Sequence, residues 1–298
     1  MAVTLVALVL VFAACGTAGE EATDARQLPA PAVRQGQVDV DGIRRSYRLF
    51  VPTTLDPSQV VPLLVVIHGG GNSVQSMVDT TQFDRAASAG NFMVAYPEAT
   101  RGAWNAGFCC GSAPERGVDD VAFLNRLLDE LEAEQAVDPS RVFLAGVSNG
   151  AMMAYRYACE EADRVAAIAS VAGTVTVDDC QPSRPVSVLE LRGSEDPLVP
   201  FDGGPPDLPN AAELASYPSA PEVASMWAEV AGCEGSPTAS TEGLVTTTAW
   251  DGCTEGTAVR LVRVEGGGHV WFAPGLGEAN SAVDATALIT EFFSKVSR

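Results

Sequence analysis

The segment Gly146-Val147-Ser148-Asn149-Gly150 has the spacing that most directly predicts chemistry in this chain. It stands between the apolar runs Arg141–Ala145 and Ala151–Ala158, so the pattern G-x-S-x-G is expected to turn sharply from a strand into a helix. Glycines suit both flanks because the turn is strained and because the helix packs closely against the strand. Such a turn exposes the Ser148 hydroxyl as a nucleophile.

Histidine is scarce in this chain, which narrows the search for a base that activates Ser148. Of the two histidines, only His269 follows the serine. In the order nucleophile, acid, histidine, an acid is expected on a loop between them, and Asp196 lies a few residues past an apolar run. We predict a triad in which His269 takes and returns the serine proton while Asp196 orients the imidazole ring. Two other acids in the same interval stay as alternatives: Asp202 and Asp251.

Acyl transfer through a serine also needs donors for the negative oxygen of the tetrahedral intermediate. The backbone amide of Asn149, directly after the nucleophile, is one candidate. The second is the amide of Gly70 in His68-Gly69-Gly70-Gly71, a glycine-rich loop that follows an apolar run. His68 is interpreted as part of this loop on the substrate side rather than as a base.

The balance of charge excludes some classes of partner. With 38 acidic against 18 basic residues the formal net charge is −20, whereas nucleic acids and anionic membrane surfaces need clustered Lys and Arg. We expect no nucleic-acid partner. The adjacent pair Cys109-Cys110 lacks metal-site spacing and the chain has only two histidines, so neither a metal nor an organic cofactor is predicted.

The N-terminus indicates export. Met1–Ala14 is almost wholly apolar yet shorter than the roughly 20 residues that cross a bilayer as a helix, and small residues end it. We predict an export signal over residues 1–15, with a lipid anchor at Cys15 as its lipoprotein variant, because residues 12–15 resemble a lipoprotein cleavage box. Residues 16–36 are expected to form a flexible tether, and residues 37–298 a catalytic domain that is a monomer.

Cysteine usage is consistent with an oxidising compartment. The seven cysteines become six when the one in the export signal is set aside, and an even number in an exported chain suggests disulfides. Local pairing joins Cys159 to Cys180 and Cys233 to Cys253. The remaining Cys109-Cys110 forms either a vicinal disulfide or two free thiols.

Strand and helix patterns alternate along the chain and predict an α/β fold, a doubly wound, mostly parallel sheet with helices on both faces. The proline-rich residues 201–221 follow the predicted acid loop and form either a lid or cleft wall or an ordinary surface connection. The predicted elements are a hairpin over 37–51, strands over 62–67, 92–96, 141–145, 165–171, 186–191 and 259–264, and helices over 79–89, 119–137 and 282–296.

Several short segments, taken in their order along the chain, together resemble the secreted polyhydroxybutyrate depolymerase and feruloyl esterase family of α/β-hydrolases. The resemblance covers about residues 37–298. It implies the triad described above, short-acyl or aromatic-acid esters as substrates, and a cleft lined by Trp104 and Trp271. The segments that carry it are His68-Gly69-Gly70-Gly71, Trp104-Asn105, Cys109-Cys110-Gly111, Val118-Asp119-Asp120-Val121, Gly146 to Met152, Gly193-Ser194-Glu195-Asp196 with Val199-Pro200, and Gly267-Gly268-His269-Val270-Trp271.

Two departures from the family bear on the substrate. Phe272 stands where family members usually carry proline, which predicts a different wall beside His269. The chain ends soon after its last predicted helix, so soluble esters or oligomers are expected rather than crystalline polymer, with polyester or plant cell-wall esters as possible sources. A serine peptidase of the same fold and a non-catalytic envelope-binding protein remain alternative functions.

Overall fold

A computed structural model describes residue 1 and residues 32–56, 58–110, 113–207 and 216–298. The predicted export signal, Cys15 and most of the predicted tether lie outside these residues. The tether was expected to reach residue 36, but a strand already begins at Ala32, because residues 32–36 pair with Tyr47–Val51. Among the described residues, no helix has both the length and the apolar composition needed to cross a membrane.

One ten-stranded sheet organises the described residues, in the order β1-β2-β4-β3-β5-β6-β7-β10-β9-β8. Its middle, from β4 to β10, is parallel, and the strands outside it are antiparallel. The strands are β1 (Ala32–Val40), β2 (Ile43–Val51), β3 (Val61–Ile67), β4 (Met93–Pro97), β5 (Val137–Val147), β6 (Ala167–Val171), β7 (Ser187–Gly193), β8 (Thr238–Glu242), β9 (Val245–Trp250) and β10 (Val259–Val264).

Helices cover both faces of the sheet and explain why its middle strands are apolar on both sides. Leu63, Val65 and Ile67 of β3 belong to one core, and Leu64 and Val66 belong to the other. The first core takes side chains from α3, α4 and α5, and the second from α1, α2 and α6. The predicted doubly wound fold is confirmed. The helices are α1 (Val74–Thr81), α2 (Phe83–Gly90), α3 (Asp120–Glu134), α4 (Asn149–Glu160), α5 (Ala220–Val230) and α6 (Ala285–Phe293).

The prediction of a single helix over residues 79–89 is wrong, because two helices, α1 and α2, meet there. Gln82 has φ 54° and ψ 25°, a left-handed conformation that ends α1 and begins α2. The Ser73 hydroxyl accepts from the Ser76 amide at 3.3 Å and so starts α1 earlier than predicted. The other two predicted helices are shorter than expected, as α3 and α6 show.

The excursion between α5 and β10 forms a hairpin that the sequence did not predict. Strand β9 pairs antiparallel with β10, and β8 pairs with β9 at the end of the sheet. Both strands are rich in threonine and β8 is wholly exposed, so they lack the apolar runs that mark buried strands.

Disulfides join both predicted pairs, Cys159–Cys180 and Cys233–Cys253, and a vicinal disulfide joins Cys109 and Cys110.

Both ends of the described domain lie at the amino edge of the parallel strands. Ala32 pairs with Val51, at the far end of β2 from Tyr47, which pairs with the last residue of β4. At the other end of the domain, the Arg298 amide donates to the carbonyl oxygen of Ser140 near the start of β5, at 2.8 Å. The carboxyl edge of the sheet therefore lies opposite both ends of the described domain.

Candidate active site

Ser148 occupies the sharp turn that its sequence predicts. Strand β5 ends at Val147 and helix α4 begins at Asn149, with Ser148 between them at φ 54° and ψ −125°. This conformation is rare for a residue with a side chain, and it persists only where surrounding structure enforces it. Here the Ser148 amide donates to the carbonyl oxygen of Val171 at 2.9 Å, which holds the turn against β6.

The glycines that flank the turn leave no room for a side chain. A Cβ on Gly146 would lie 2.5 Å from the carbonyl carbon of Gly150, and a Cβ on Gly150 would lie 2.3 Å from the carbonyl oxygen of Ile67. Both contacts are with backbone, which cannot move aside as a flexible side chain can. The spacing of the motif therefore reflects the close approach of α4 to β3 and β5.

His269 is hydrogen-bonded to Asp196, the acid chosen from the sequence. Nδ1 of His269 lies 2.8 Å from Oδ2 and 3.0 Å from Oδ1 of Asp196, so it carries the proton and donates, which leaves Nε2 as the acceptor. Asp196 is 4% exposed, and its Oδ1 also accepts from the amides of Leu198 and Val199, each at 2.8 Å. Of the two alternatives, Asp202 is exposed and Asp251 pairs with Arg260 at 2.6 Å.

The loops of the acid and the histidine are joined where their strands end. β7 and β10 are parallel neighbours, with Gly193 opposite Val264. The Ser194 amide donates to Val264 and the Glu195 amide to Gly267, both at 2.9 Å. Ser148, Asp196 and His269 each follow the carboxyl end of a strand of the parallel sheet, where ligands bind in this class of fold.

The two candidate oxyanion donors are neighbours. A Cβ on Gly70 would lie 3.6 Å from Cβ of Asn149. The next amide of the loop, that of Gly71, already donates to the carbonyl oxygen of Gly102 at 2.8 Å. Gly70 is therefore the glycine of this loop that faces the residue after the nucleophile.

The side chain of Asn149 has a structural role that the sequence did not reveal. Its Oδ1 accepts from the Trp104 amide at 2.8 Å and its Nδ2 donates to the Trp104 carbonyl oxygen at 3.1 Å. The indole Nε1 of Trp104 in turn donates to the carbonyl oxygen of His68 at 2.8 Å. This chain of bonds connects the nucleophile turn to the start of the glycine-rich loop.

His68 and Trp104 do not line a cleft, which corrects the expectation that they contact substrate. Both are fully buried. Nε2 of His68 accepts from the Ala99 amide at 3.1 Å, so the proton is assigned to Nδ1, which donates to the carbonyl oxygen of Gly69 at 2.8 Å. These positions make both rings supports of the glycine-rich loop over residues 68–71.

Trp271 is also a supporting residue rather than a cleft wall. It is 4% exposed, its Nε1 donates to the Thr286 hydroxyl at 3.1 Å, and its ring lies edge-on to Phe83 at 5.7 Å. Phe272, which was expected to reshape the wall beside His269, is fully buried as well. Both aromatic side chains fill the core beneath the histidine loop.

Asp119 and Asp120, adjacent carboxylates at the start of α3, have different partners. The Asp119 side chain accepts from the Ala122 amide at 2.8 Å and caps α3. Asp120 is instead fully buried, bonded to Arg45 at 2.7 Å and to the amide of Asn105 at 2.7 Å. It therefore anchors the segment that carries Trp104.

Exposed apolar side chains lie on the loops that follow the carboxyl ends of β4, β7 and β10. Phe108 is 46% exposed and stacks on Tyr217 with ring centroids 6.1 Å apart. Leu198 follows Asp196 by two residues, and Leu276 lies on the loop after His269. Such a rim suits a substrate with apolar parts.

Solved structures with the same fold include an acetyl xylan esterase from Aspergillus awamori, with a TM-score of 0.63 over 88% of this chain and 99% of that chain. The identity is 16%. A thermostable esterase gives a TM-score of 0.57 over 91% of this chain and 64% of its own, at 14% identity. At these identities the likeness shows the fold alone, which is that of the α/β-hydrolases.

Sequence comparison identifies the family to which the chain belongs. The family model described as "Esterase PHB depolymerase" matches residues 45–248. NocK of Nocardia uniformis subsp. tsuyamanensis is 33% identical over 252 residues, which are 79% of this chain and 73% of NocK. The chain belongs to this esterase family, as its motifs predicted, and is an ester hydrolase.

Two fungal relatives carry substrate names. Feruloyl esterase B of Piromyces equi is 30% identical over 227 residues, or 73% of this chain and 41% of that protein. Feruloyl esterase C of Emericella nidulans is 27% identical over 180 residues, or 58% of this chain and 62% of that protein. The matched part of this chain thus spans less than two thirds of either enzyme.

Proposed function

We propose that this protein is an exported serine carboxylic-ester hydrolase that cleaves its substrates through an acyl-enzyme on Ser148. The observation that carries the proposal is the buried Asp196 carboxylate bonded to Nδ1 of His269, on loops at the same sheet edge as the strained Ser148 turn. This arrangement leaves Nε2 of His269 as the base and the Ser148 hydroxyl as the nucleophile.

In the first half of the reaction, the Ser148 oxygen attacks the ester carbonyl carbon while Nε2 of His269 takes its proton. The amides of Asn149 and Gly70 donate to the negative oxygen of the tetrahedral intermediate. The carbon–oxygen bond to the alcohol then breaks, and His269 returns the proton to the leaving alcohol. Asp196 stabilises the imidazolium throughout this step.

In the second half, water attacks the acyl-enzyme and His269 again acts as the base. The tetrahedral intermediate collapses, the bond to Ser148 breaks, and the acid leaves as the serine regains its proton. Every proton and electron pair moves among the ester, water, Ser148 and His269. The proposed reaction therefore needs only groups of this chain and water.

The substrates we propose are esters of short or aromatic acids, carried on soluble or oligomeric alcohols. The apolar rim of Phe108, Leu198 and Leu276 supports an apolar acyl or alcohol part. The names of the fungal feruloyl esterases point to the same chemistry in relatives. Export is supported by the three cysteine pairs.

The test is labelling by an active-site-directed fluorophosphonate, combined with turnover of short p-nitrophenyl esters. We expect the wild-type protein to be labelled and active, and Ser148→Ala to be neither while remaining folded. Ser88→Ala is a matched control, because the Ser88 hydroxyl bonds to Asp84 within α2, far along the chain from the turn. An unlabelled wild-type protein would favour a non-catalytic binding protein, and cleavage of peptides would favour a peptidase.

A further inference from the structure

Arg192 is a fully buried cation at the carboxyl end of β7 that takes no part in the proposed proton transfers. Its guanidinium donates to two backbone carbonyl oxygens, those of Gly173 and Pro200, and to the carboxylate of Glu190. The two carbonyl groups belong to different loops of the active-site edge. One side chain thus connects loops that the sequence separates widely.

The Gly173 end of this connection lies directly beside the nucleophile. A Cβ on Gly173 would lie 3.2 Å from the carbonyl oxygen of Ser148 and 2.4 Å from Cβ of Ala151. The turn of Gly173 also follows Val171, the residue that accepts from the Ser148 amide. A shift of this turn would therefore press on the nucleophile turn.

The Pro200 end closes the loop of the catalytic acid. Within this loop, Asp196 is fixed by the amides of Leu198 and Val199. Nη1 of Arg192 donates to the next carbonyl oxygen along, that of Pro200, at 3.2 Å. The position of the Asp196 carboxylate, and so of the His269 ring, depends on where this loop is held.

Stability alone does not explain a buried charged pair at this point. Glu190 and Arg192 are both fully buried, and the Tyr155 hydroxyl donates to Oε2 of Glu190 at 3.1 Å. Burying two charges costs about as much free energy as their attraction returns, and apolar replacements of similar volume are often neutral or stabilising. The planar fork of a guanidinium, however, can bond to several acceptors in fixed directions at once.

We propose that Arg192 is a positioning residue of the active site, which holds the loop of Asp196 at a fixed distance from the turn beside Ser148. Glu190 supplies the negative charge that allows this cation to be buried. The kinetic part of this inference rests on the proposed function, whereas the connection between the loops does not. The experiment therefore measures both the kinetics and the hydrogen exchange of the two loops.

The test compares Glu190→Gln/Arg192→Met, which removes the ion pair without leaving an unpaired charge, with Tyr155→Phe. Tyr155→Phe is the matched control, because it removes a bond to the same carboxylate and leaves in place the groups through which Arg192 bonds to the two loops. A third variant, Arg192→Lys, keeps the charge but has no planar fork. Each folded variant is measured for kcat and KM on a short ester and for amide hydrogen exchange in segments 171–177 and 194–203.

We expect the double variant to exchange faster in both segments and to lose about tenfold to a hundredfold in kcat, since misplacement by about 1 Å costs that much. KM should change less, Arg192→Lys should recover part of kcat, and Tyr155→Phe should match the wild-type protein in both readouts. If the ion pair had a merely structural role, the double variant would fold stably and would have the same kcat as the wild-type protein.

Unchanged exchange in both segments of the double variant overturns the inference, whatever the activity. Faster exchange with wild-type kcat overturns the positioning role as well. If Ser148→Ala keeps full activity, the proposed function fails, and hydrogen exchange alone then decides whether Arg192 holds the two loops.

Discussion

The bond between Asp196 and His269 sets which nitrogen of the histidine can act as a base. Because Nδ1 donates to the carboxylate, Nε2 is free to accept the serine proton. The two amides that bond to Oδ1 of Asp196 leave the carboxylate little freedom to turn away. The chemistry of the site thus depends on hydrogen bonds that orient one ring.

Asp196→Asn should therefore lower kcat by about ten-thousandfold, because an amide in that place favours the wrong imidazole tautomer. The variant should fold, since asparagine has nearly the same shape. Turnover of a short p-nitrophenyl ester by the purified protein measures the effect. Asp251→Asn is the control, because Asp251 is paired with Arg260 at the surface. A mild effect at Asp196 with a severe one at Asp251 would show that the wrong acid was chosen.

The sequence alone singled out the proposed nucleophile, acid and base because their order along the chain is distinctive and histidine is scarce, and the structure joins two of them by the bond between Asp196 and His269. Residue type did not reveal whether a ring faces substrate or core, so Trp104 was predicted at the cleft but is buried. Arg192 escaped notice for a similar reason, because a charged residue in a strand usually faces solvent. Its burial depends on acceptors that come from distant parts of the chain.

At the scale of the elements, β7 carries an ionisable pair into the core, and this has a consequence for pH. Burial raises the pKa of Glu190 to about 7, against the opposing effects of the Arg192 charge and of the hydrogen bond from Tyr155. A carboxyl whose pKa is higher in the folded protein than in the unfolded chain binds more protons when folded. The free energy of unfolding that it contributes therefore falls as the pH rises toward 7.

Glu190→Gln should remove this pH dependence. Between pH 5 and 7 the wild-type protein should lose on the order of 1 to 3 kcal/mol of unfolding free energy relative to the variant, with a constant difference above pH 8. Urea unfolding of both proteins at each pH measures it, and the other carboxylates cancel because both proteins contain them. A difference that does not vary between pH 5 and 8 would contradict the raised pKa.

The elements themselves were predicted where burial leaves a mark in the sequence. The parallel strands are rich in apolar residues because both faces of the sheet are covered, and each predicted run corresponds to a strand. The break between α1 and α2 was missed because glutamine at position 82 is not a usual left-handed residue. The hairpin of β8 and β9 was missed because its exposed, threonine-rich strands carry no apolar pattern.

At the scale of the whole molecule, the net charge of −20 acts on substrates before they reach the site. A surface of one sign lowers the local concentration of ligands of the same sign, and salt screens this effect over about 10 Å at 0.1 M. The enzyme should therefore discriminate between neutral and anionic esters of the same acid.

Dimethyl succinate and monomethyl succinate provide that comparison, because they share the succinate skeleton and the methanol leaving group and differ in charge. We expect kcat/KM to be lower for the anionic monomethyl ester and the ratio to move toward one as NaCl rises from 10 to 500 mM. The dimethyl ester alone, measured over the same range, controls for effects of salt on the protein. A ratio that is insensitive to salt would show that the discrimination comes from contacts inside the site.

The positions of the two ends of the described domain have a practical consequence for immobilisation. Ala32 and Arg298, the two ends of the described domain, both lie at the amino edge of the sheet, so a bead or support attached at either residue faces away from Ser148. Protein attached in this way should hydrolyse large oligomeric esters as fast, per molecule, as protein in solution. Attachment through a cysteine placed at Leu276, an exposed position beside the histidine loop, should slow large substrates far more than small ones. The orientation of the sheet thus determines which side of an immobilised enzyme meets a bulky substrate.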